Sequence, residues 1–328
     1  MGIALDTRWW SGRRVLVTGA TGIIGSWLVK ELLRREAKVV ALVPEVDLRS
    51  EMYRSGDSEK VLSVSGNLED FPVLERAIAE HGVDTVFHLG AQTIVGTAHR
   101  APLPTFEANI RGTYNLLEAC RVNSVARVVV ASSDKAYGEQ DELPYREDMP
   151  LSGRHPYEVS KSCADQISQA YHHTYGLPVA IARCGNVYGG GDLNWSRIVP
   201  ATIRSLLMDE RPQIRSDGAY VRDYIYVKDV ALAYIRLAEA LSDPEVLGEG
   251  FNFGNERPVT VLELVERIQE VMDCSHLEPE VFGTAEGEIR SQYLSAAKAR
   301  DVLDWRPQYD ERTGLSETVQ WYRDFLAA

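Results

Sequence analysis

The sequence predicts an α/β protein built on a doubly wound parallel sheet, with a smaller, mostly C-terminal lobe. Three observations lead there. From Arg13 onward, short β-branched runs alternate with amphipathic stretches, the order that lays helices on both faces of a parallel sheet. Three glycines spaced three apart follow the first run, and the strict alternation fades after residue 185.

Candidate strands run Arg14 to Val17, Lys38 to Val43, Lys60 to Val64, Thr85 to Leu89, Arg127 to Ser132, Pro178 to Arg183 and Gly250 to Phe253. Between them Ile24, Trp27, Leu28, Val29 and Leu32 recur at helical spacing, as do Leu116, Leu117 and Cys120, so both sets mark helices packed on the sheet. Beyond Gly189-Gly190-Gly191, a helix is expected from about Ser196 to Glu210. Two further stripes, Val261, Leu264, Val265 and Ile268, then Leu315, Val319, Tyr322 and Leu326, are read as core-facing. No internal repeat or Pro/Gly/Ser linker separates the lobes.

Composition narrows the function. The 328 residues carry a formal charge of −13, which argues against a nucleic-acid groove because phosphate binding needs a basic face. With 45% apolar and 25% charged residues, the chain is neither disordered nor fibrous. No run approaches a membrane span, and the opening segment lacks the basic-then-apolar order of a secretory signal, so a cytoplasmic protein is expected. Cys120, Cys163, Cys184 and Cys274 lie too far apart in sequence to suggest a zinc site or a disulfide frame.

Val15-Leu-Val-Thr-Gly19-Ala-Thr-Gly22-Ile-Ile-Gly25 puts the glycine triplet between a strand and a helix. There Gly19 permits the sharp turn, Gly22 lets backbone N–H groups approach a pyrophosphate, and Gly25 lets helix and sheet pack closely. The pattern predicts a Rossmann-type dinucleotide-binding domain over 1–185, with 223–256 contributing, and a substrate lobe from 186–222 and 257–328. At the end of the second strand, Glu45 or Asp47 favours NAD, while Arg49 suits the 2′-phosphate of NADP.

His155-Pro156-Tyr157-Glu158-Val159-Ser160-Lys161 places a tyrosine and a lysine four apart on one helix face, where the lysine is expected to lower the tyrosine pKa. A phenolate beside a nicotinamide is the base that takes a proton from a sugar hydroxyl as its carbon gives up hydride. About 25 residues earlier, a strand ends in Ser132-Ser133-Asp134-Lys135-Ala136-Tyr137-Gly138, polar groups at the carboxyl edge of the sheet.

With these pieces the sequence resembles the extended short-chain dehydrogenase/reductase family, the NAD-dependent epimerases and dehydratases, along nearly its whole length. His88-Leu-Gly-Ala-Gln92, Asn109-Ile-Arg-Gly-Thr113, Arg183-Cys-Gly-Asn-Val-Tyr-Gly189 and Arg222-Asp-Tyr-Ile-Tyr-Val227 stand in family order. Trp9-Trp-Ser-Gly-Arg-Arg, Gly25-Ser-Trp-Leu, Ser133-Asp-Lys and Gly185-Asn-Val-Tyr-Gly-Gly-Gly-Asp192 resemble the CDP-glucose 4,6-dehydratase branch. The resemblance implies NAD contacts at Gly19, Thr21, Gly22, Ile23, Ile24, Gly25, Asn67, Leu68, Leu89, Ala91, Gln92, Asn109, Tyr157 and Lys161. It also implies a nucleoside-diphosphate sugar held by Ser133, Asn186, Arg222 and Arg290, a homodimer formed through the helix of Tyr157 and its neighbour, and no metal.

In that scheme Ser133 and Tyr157 hold O4, Tyr157 takes its proton, Lys135 removes the C5 proton, and Asp134 protonates the departing C6 hydroxyl. The alternatives are a C4 or C2 epimerase, a UDP-glucuronate decarboxylase on the same scaffold, and a non-catalytic NAD-binding protein, against which Ser133, Tyr157 and Lys161 all count. The segment Arg222-Asp-Tyr-Ile-Tyr-Val reads like epimerases and dTDP-glucose dehydratases, and Asn67 stands where an adenine-contacting Asp is usual, so the nucleotide base stays open. His155, His172 and His173 are read as capping or solvating a helix.

Overall fold

The computed structural model describes residues 7–284 and 289–327. Seven parallel strands form the central sheet: β1 (Arg14–Thr18), β2 (Lys38–Val43), β3 (Leu62–Ser65), β4 (Thr85–His88), β5 (Arg127–Ala131), β6 (Val179–Cys184) and β7 (Gly250–Phe253). Their spatial order is β7-β6-β5-β4-β1-β2-β3. The chain thus starts at the centre, winds out to β3, returns to lay β4 on the other side of β1 and winds out again. Between β1 and β4 the winding reverses, and that switch point opens a crevice at the carboxyl ends of the strands. Each predicted strand forms, although Lys60 ends a short 3-10 turn rather than opening β3.

Strand alternation divides the core. Val15, Val17, Val39, Ala41, Phe87, Val129 and Phe251 face Leu28, Val29 and Leu32 of α1 (Ile23–Arg34), together with Val230, Tyr234 and Leu237 of a later helix, Val227–Glu239. Leu16, Val40, Leu42, Val86, Val128 and Val130 face the other way. They meet Leu74 and Ile78 of α2 (Phe71–His81), Leu116, Leu117 and Cys120 of α3 (Gly112–Val122), and Ile167 and Tyr171 of α4 (Pro156–Tyr175). Burial on both faces is why the strands other than the exposed edge strand β3 read as near-continuous apolar runs.

A third cluster lies toward the C-terminus, where Ile203 and Leu206 of α5 (Ile198–Leu207) meet Leu264 and Ile268 of the helix Val261–Met272 and Leu315, Val319 and Tyr322 of the helix Glu311–Ala327. Helix α5 is shorter than the expected Ser196-to-Glu210 span: it ends at Leu207, and Asp209 takes a left-handed φ of 59°. The stripe through Leu315 also stops short, since Leu326 in the last turn is 40% exposed beyond the edge of the core. Ala296, Ala299, Leu303 and Trp305 join the first cluster, under the sheet, rather than this one. Two short strands matter below: Val221–Arg222 pairs in parallel with Ser291–Gln292 and antiparallel with Val259–Thr260. Among the described residues, no helix is long and apolar enough to cross a membrane.

Candidate active site

The switch point collects most of the residues expected to hold a dinucleotide. Gly19 follows β1 with φ 69°, and a Cβ there would lie 2.7 Å from the Gly90 nitrogen, so turn and β4 approach too closely for any side chain. At Gly25 a Cβ would sit 2.0 Å from the Gly19 carbonyl oxygen, which fastens the first turn of α1 onto the strand end. Gly22 differs. It is exposed, its φ of −74° suits any residue, and a Cβ would meet only the Gly19 oxygen at 3.3 Å. Packing within the chain therefore constrains Gly22 far less than Gly25, and the open N-terminus of α1 beside it is where an anion would approach. Thr21, Ile23 and Ile24 flank it, half-buried.

Beyond β2, Asp47 holds Arg49 through two hydrogen bonds of 2.9 and 3.1 Å in an exposed loop, and this guanidinium keeps its carboxyl below the usual range. Leu68 is buried against Gly90 and Gly112, while Asn67 is exposed in an open depression with Arg111 and Asn115. Leu89, Ala91 and Gln92 follow β4, half-buried at the crevice.

A buried polar chain ties this turn to the helix carrying Tyr157. Thr113 Oγ1 donates to the Asn109 carbonyl at 2.6 Å and so accepts from His88 Nε2 at 3.0 Å, which leaves Nδ1 to accept from the Thr18 hydroxyl at 2.9 Å. His88 is therefore neutral; burial, aided by the charge of Lys161, pushes it down to about 3. Asn109 lies in a single π-helical turn, Glu107–Arg111, and its Nδ2 donates to the Gln92 carbonyl and to Ser160 Oγ, both at 2.9 Å. Ser160 donates in turn to the Tyr157 carbonyl at 2.7 Å.

The catalytic candidates converge at the end of β5. Ser133 caps a 3-10 turn, Asp134–Tyr137, accepting from the Lys135 N–H and donating to Asp134 Oδ1 at 3.0 Å. Helix α4 opens at Pro156, with Glu158 accepting from the N–H groups of Arg154 and His155, so Tyr157 and Lys161 face the sheet. Lys161 is buried and donates to the Ala131 carbonyl at 2.7 Å; burial pulls it down to about 8. Asp134 is buried too, and desolvation raises its pKa against the opposing pulls of Lys135, Ser133 and Arg222. One expectation is corrected here. Tyr157 is not lowered: burial pushes it up to about 12, and the groups that pull it down are Arg197 and Ser133, while Asp134 raises it.

The substrate-side candidates separate. Asn186 stands beside Asp223, and its buried Nδ2 has no hydrogen-bond partner among the described residues, as expected of a donor kept for a ligand. Arg222 is buried and donates to the carbonyls of Val221, Ile289 and Arg290 at 2.8, 2.6 and 3.1 Å, holding the strand Ser291–Gln292. The Arg290 side chain is 68% exposed and pairs with Asp217; Gly287 and Glu288 before it lie outside the described residues. Sequence reasoning missed Arg197, which pairs with Asp192 at 3.1 Å and whose charge reaches Tyr157, and Gln292, which meets Lys135. No spacing rule links either to the tyrosine motif.

The fold agrees with comparisons to known proteins. CDP-glucose 4,6-dehydratase of Salmonella typhimurium is 32% identical over 98% of this chain and 94% of its own. UDP-glucose 4-epimerase of Mycolicibacterium smegmatis is equally identical over 95% of this chain and 99% of its own. The crystal structure of dTDP-glucose 4,6-dehydratase from Bacillus anthracis, in complex with NAD, superposes with a TM-score of 0.84 at 28% identity, covering 95% of this chain and 97% of that one. A family model matches residues 15–254, a span that runs from the glycine turn through both candidate catalytic segments to β7, and by it the chain belongs to the NAD-dependent epimerase/dehydratase family.

Proposed function

We propose that the protein is a nucleotide-sugar 4,6-dehydratase that converts an NDP-hexose, CDP-glucose in the first instance, into the NDP-4-keto-6-deoxyhexose with release of water. The observation that carries this reading is Asp134: a buried carboxyl whose pKa is raised, hydrogen-bonded to Ser133 and adjacent in sequence to Lys135. A carboxyl that burial makes hold its proton more tightly than usual, set beside an amine, suits elimination, in which one group takes a proton while the other gives one. Epimerisation at C4 needs no such pair. The other family activities, C4 or C2 epimerisation and UDP-glucuronate decarboxylation, remain the rivals on this scaffold.

The residues fit NAD, since Gly22 leaves open a cradle that a Cβ would fill and Lys161 is held beneath the crevice by the Ala131 carbonyl. NAD held there would supply the redox chemistry, an acceptor and later donor of the hydride, together with positive charge beside Tyr157. Ser133 hydrogen-bonds O4, and Tyr157 accepts the O4 proton once that charge offsets the burial that otherwise keeps it neutral. The 4-ketone acidifies C5–H, and Lys135 takes that proton. Asp134 protonates the C6 oxygen as the C6–O bond breaks, water leaves, and Lys135 returns a proton to C5. Asn186, whose Nδ2 has no partner among the described residues, and Arg197 bind the diphosphate sugar.

Residues 1–185 and 223–256 hold the cofactor in this reading, and 186–222 and 257–328 the sugar nucleotide. Tyr114 and Val122 on α3 and Tyr175 on α4 expose apolar surface, which supports a homodimer through these two helices. The four free cysteines suit a cytoplasmic enzyme. The test is mass spectrometry of products after incubation with NAD and CDP-, dTDP-, UDP- and GDP-sugars. Loss of one water from one of them is expected; a conserved mass with a new retention time would make the protein an epimerase, and loss of carbon dioxide a decarboxylase.

A further inference from the structure

Gln292 is fully buried, yet it reaches the catalytic turn from a strand 157 residues further along the chain. The orientation of its amide is decided by its partners. Nε2 donates to the backbone carbonyl of Asp134 at 3.1 Å, a group that only accepts, so Oε1 must face Lys135, where it accepts from Nζ. The strand itself is pinned, with Gln292 opposite Arg222 in the ladder and the Arg222 guanidinium donating to the Ile289 and Arg290 carbonyls just before it.

We propose that Gln292 is the residue that positions Lys135 as the base of the elimination step. Its oxygen ties down one N–H of the amine and thereby aims the lone pair, and because the amide is uncharged it does so without locking Nζ as an ammonium, as a carboxylate would. The proposal rests on the dehydratase reading. Among the described residues, charged and titratable groups of this region include Asp134 on the same turn and, interacting electrostatically with its carboxyl, Arg222 on the facing strand, Tyr157 on α4, Cys184 at the end of β6, Tyr145 and Asp223. None of these residues is itself altered when residue 292 alone is changed, although both substitutions also remove the Nε2 donor to the Asp134 carbonyl.

The experiment uses the full-length, NAD-loaded protein without substrate. Trace acetylation with acetic anhydride, followed by mass spectrometry of the Lys135 peptide, is run from about pH 6 to about pH 12 to give the midpoint of this amine. In Gln292→Glu the midpoint is expected to rise by about 1 to 3 pH units, because an opposite charge now adjoins Nζ. Gln292→Met preserves volume without the acceptor. No rise is expected there, while water loss from the sugar nucleotide falls by about tenfold or more and reduced nicotinamide still forms. A Glu variant whose midpoint stays within about 0.3 units of wild type, or a Met variant that eliminates at the wild-type rate, overturns the proposal. If the midpoint rises but no sugar nucleotide loses water even with the wild-type protein, Gln292 does control the amine and the dehydratase reading is what fails.

Discussion

Substituting alanine at Gly22 and at Gly25 separates a glycine kept for a ligand from one kept for the fold. At Gly25 the added methyl lies 2.0 Å from the Gly19 oxygen, 2.8 Å from the Gly19 carbonyl carbon and 2.9 Å from the Ala20 Cα, all of them backbone atoms. Relieving the first contact requires α1 and the turn to part by about 1 Å, and overpacking of this kind costs about 1–3 kcal/mol. In a chain of this length that lowers Tm by about 1.5–4.5 °C. At Gly22 the single contact of 3.3 Å yields with a shift of a few tenths of an ångström. The weaker N-cap is offset by the smaller entropy of the unfolded chain, so Tm is expected to stay within about 2 °C of wild type. The same methyl stands where a phosphate must approach the helix N-terminus, and a loss of about 1.4 kcal/mol, tenfold in Kd, is expected for NAD. Differential scanning fluorimetry reads the first quantity, and calorimetric titration with NAD the second. Gly22→Ala binding NAD within about threefold of wild type, or melting as early as Gly25→Ala, would refute the assignment of this turn to the pyrophosphate.

Lys135→Ala should abolish water loss yet leave reduced nicotinamide detectable at its absorbance band, whereas Tyr157→Phe should suppress both, since no group then takes the O4 proton; elimination at the wild-type rate by Lys135→Ala would remove the assigned base. Asp165 holds Arg183 through two hydrogen bonds of 2.8 and 3.0 Å with both side chains buried. Asp165→Ala should therefore cost about 3–5 kcal/mol in urea unfolding, and the apolar double change Asp165→Leu with Arg183→Met should recover most of it. His88 supplies the pH dependence. Its folded value is pushed down to about 3 while the unfolded chain titrates near 6.5, so only the unfolded chain gains this proton in that window. Stability from this site is complete above about pH 6.5 and is lost as pH falls toward 3, at up to about 1.4 kcal/mol per pH unit. His88→Asn should flatten the fall between about pH 6 and pH 4; an unchanged slope would mean that His88 is protonated in the fold.

The sequence by itself determined the seven strands, their alternation with helices, the glycine turn and the tyrosine–lysine pair, because each is a local pattern: a run of β-branched residues, a periodicity, or a spacing within one helix. The positions of Gly19, Ser133, Asp134, Tyr157 and Lys161 follow from the strand or helix ends that carry them. What the tertiary structure decided depends on segments far apart in the chain. Gln292 meets Lys135 across 157 residues, and Arg222 spends donors on the Ile289 and Arg290 carbonyls because two short strands happen to pair there. Arg197 reaches Tyr157 from the loop before α5. Asn109 is aimed at Gln92 and Ser160 by a π-helical turn that its sequence does not announce. The protonation of the site belongs to this second class as well. Lysine spacing alone suggested a lowered tyrosine, but desolvation acts on whatever is buried, and only the packed chain shows that Tyr157 and Asp134 are raised while Lys161 falls to about 8.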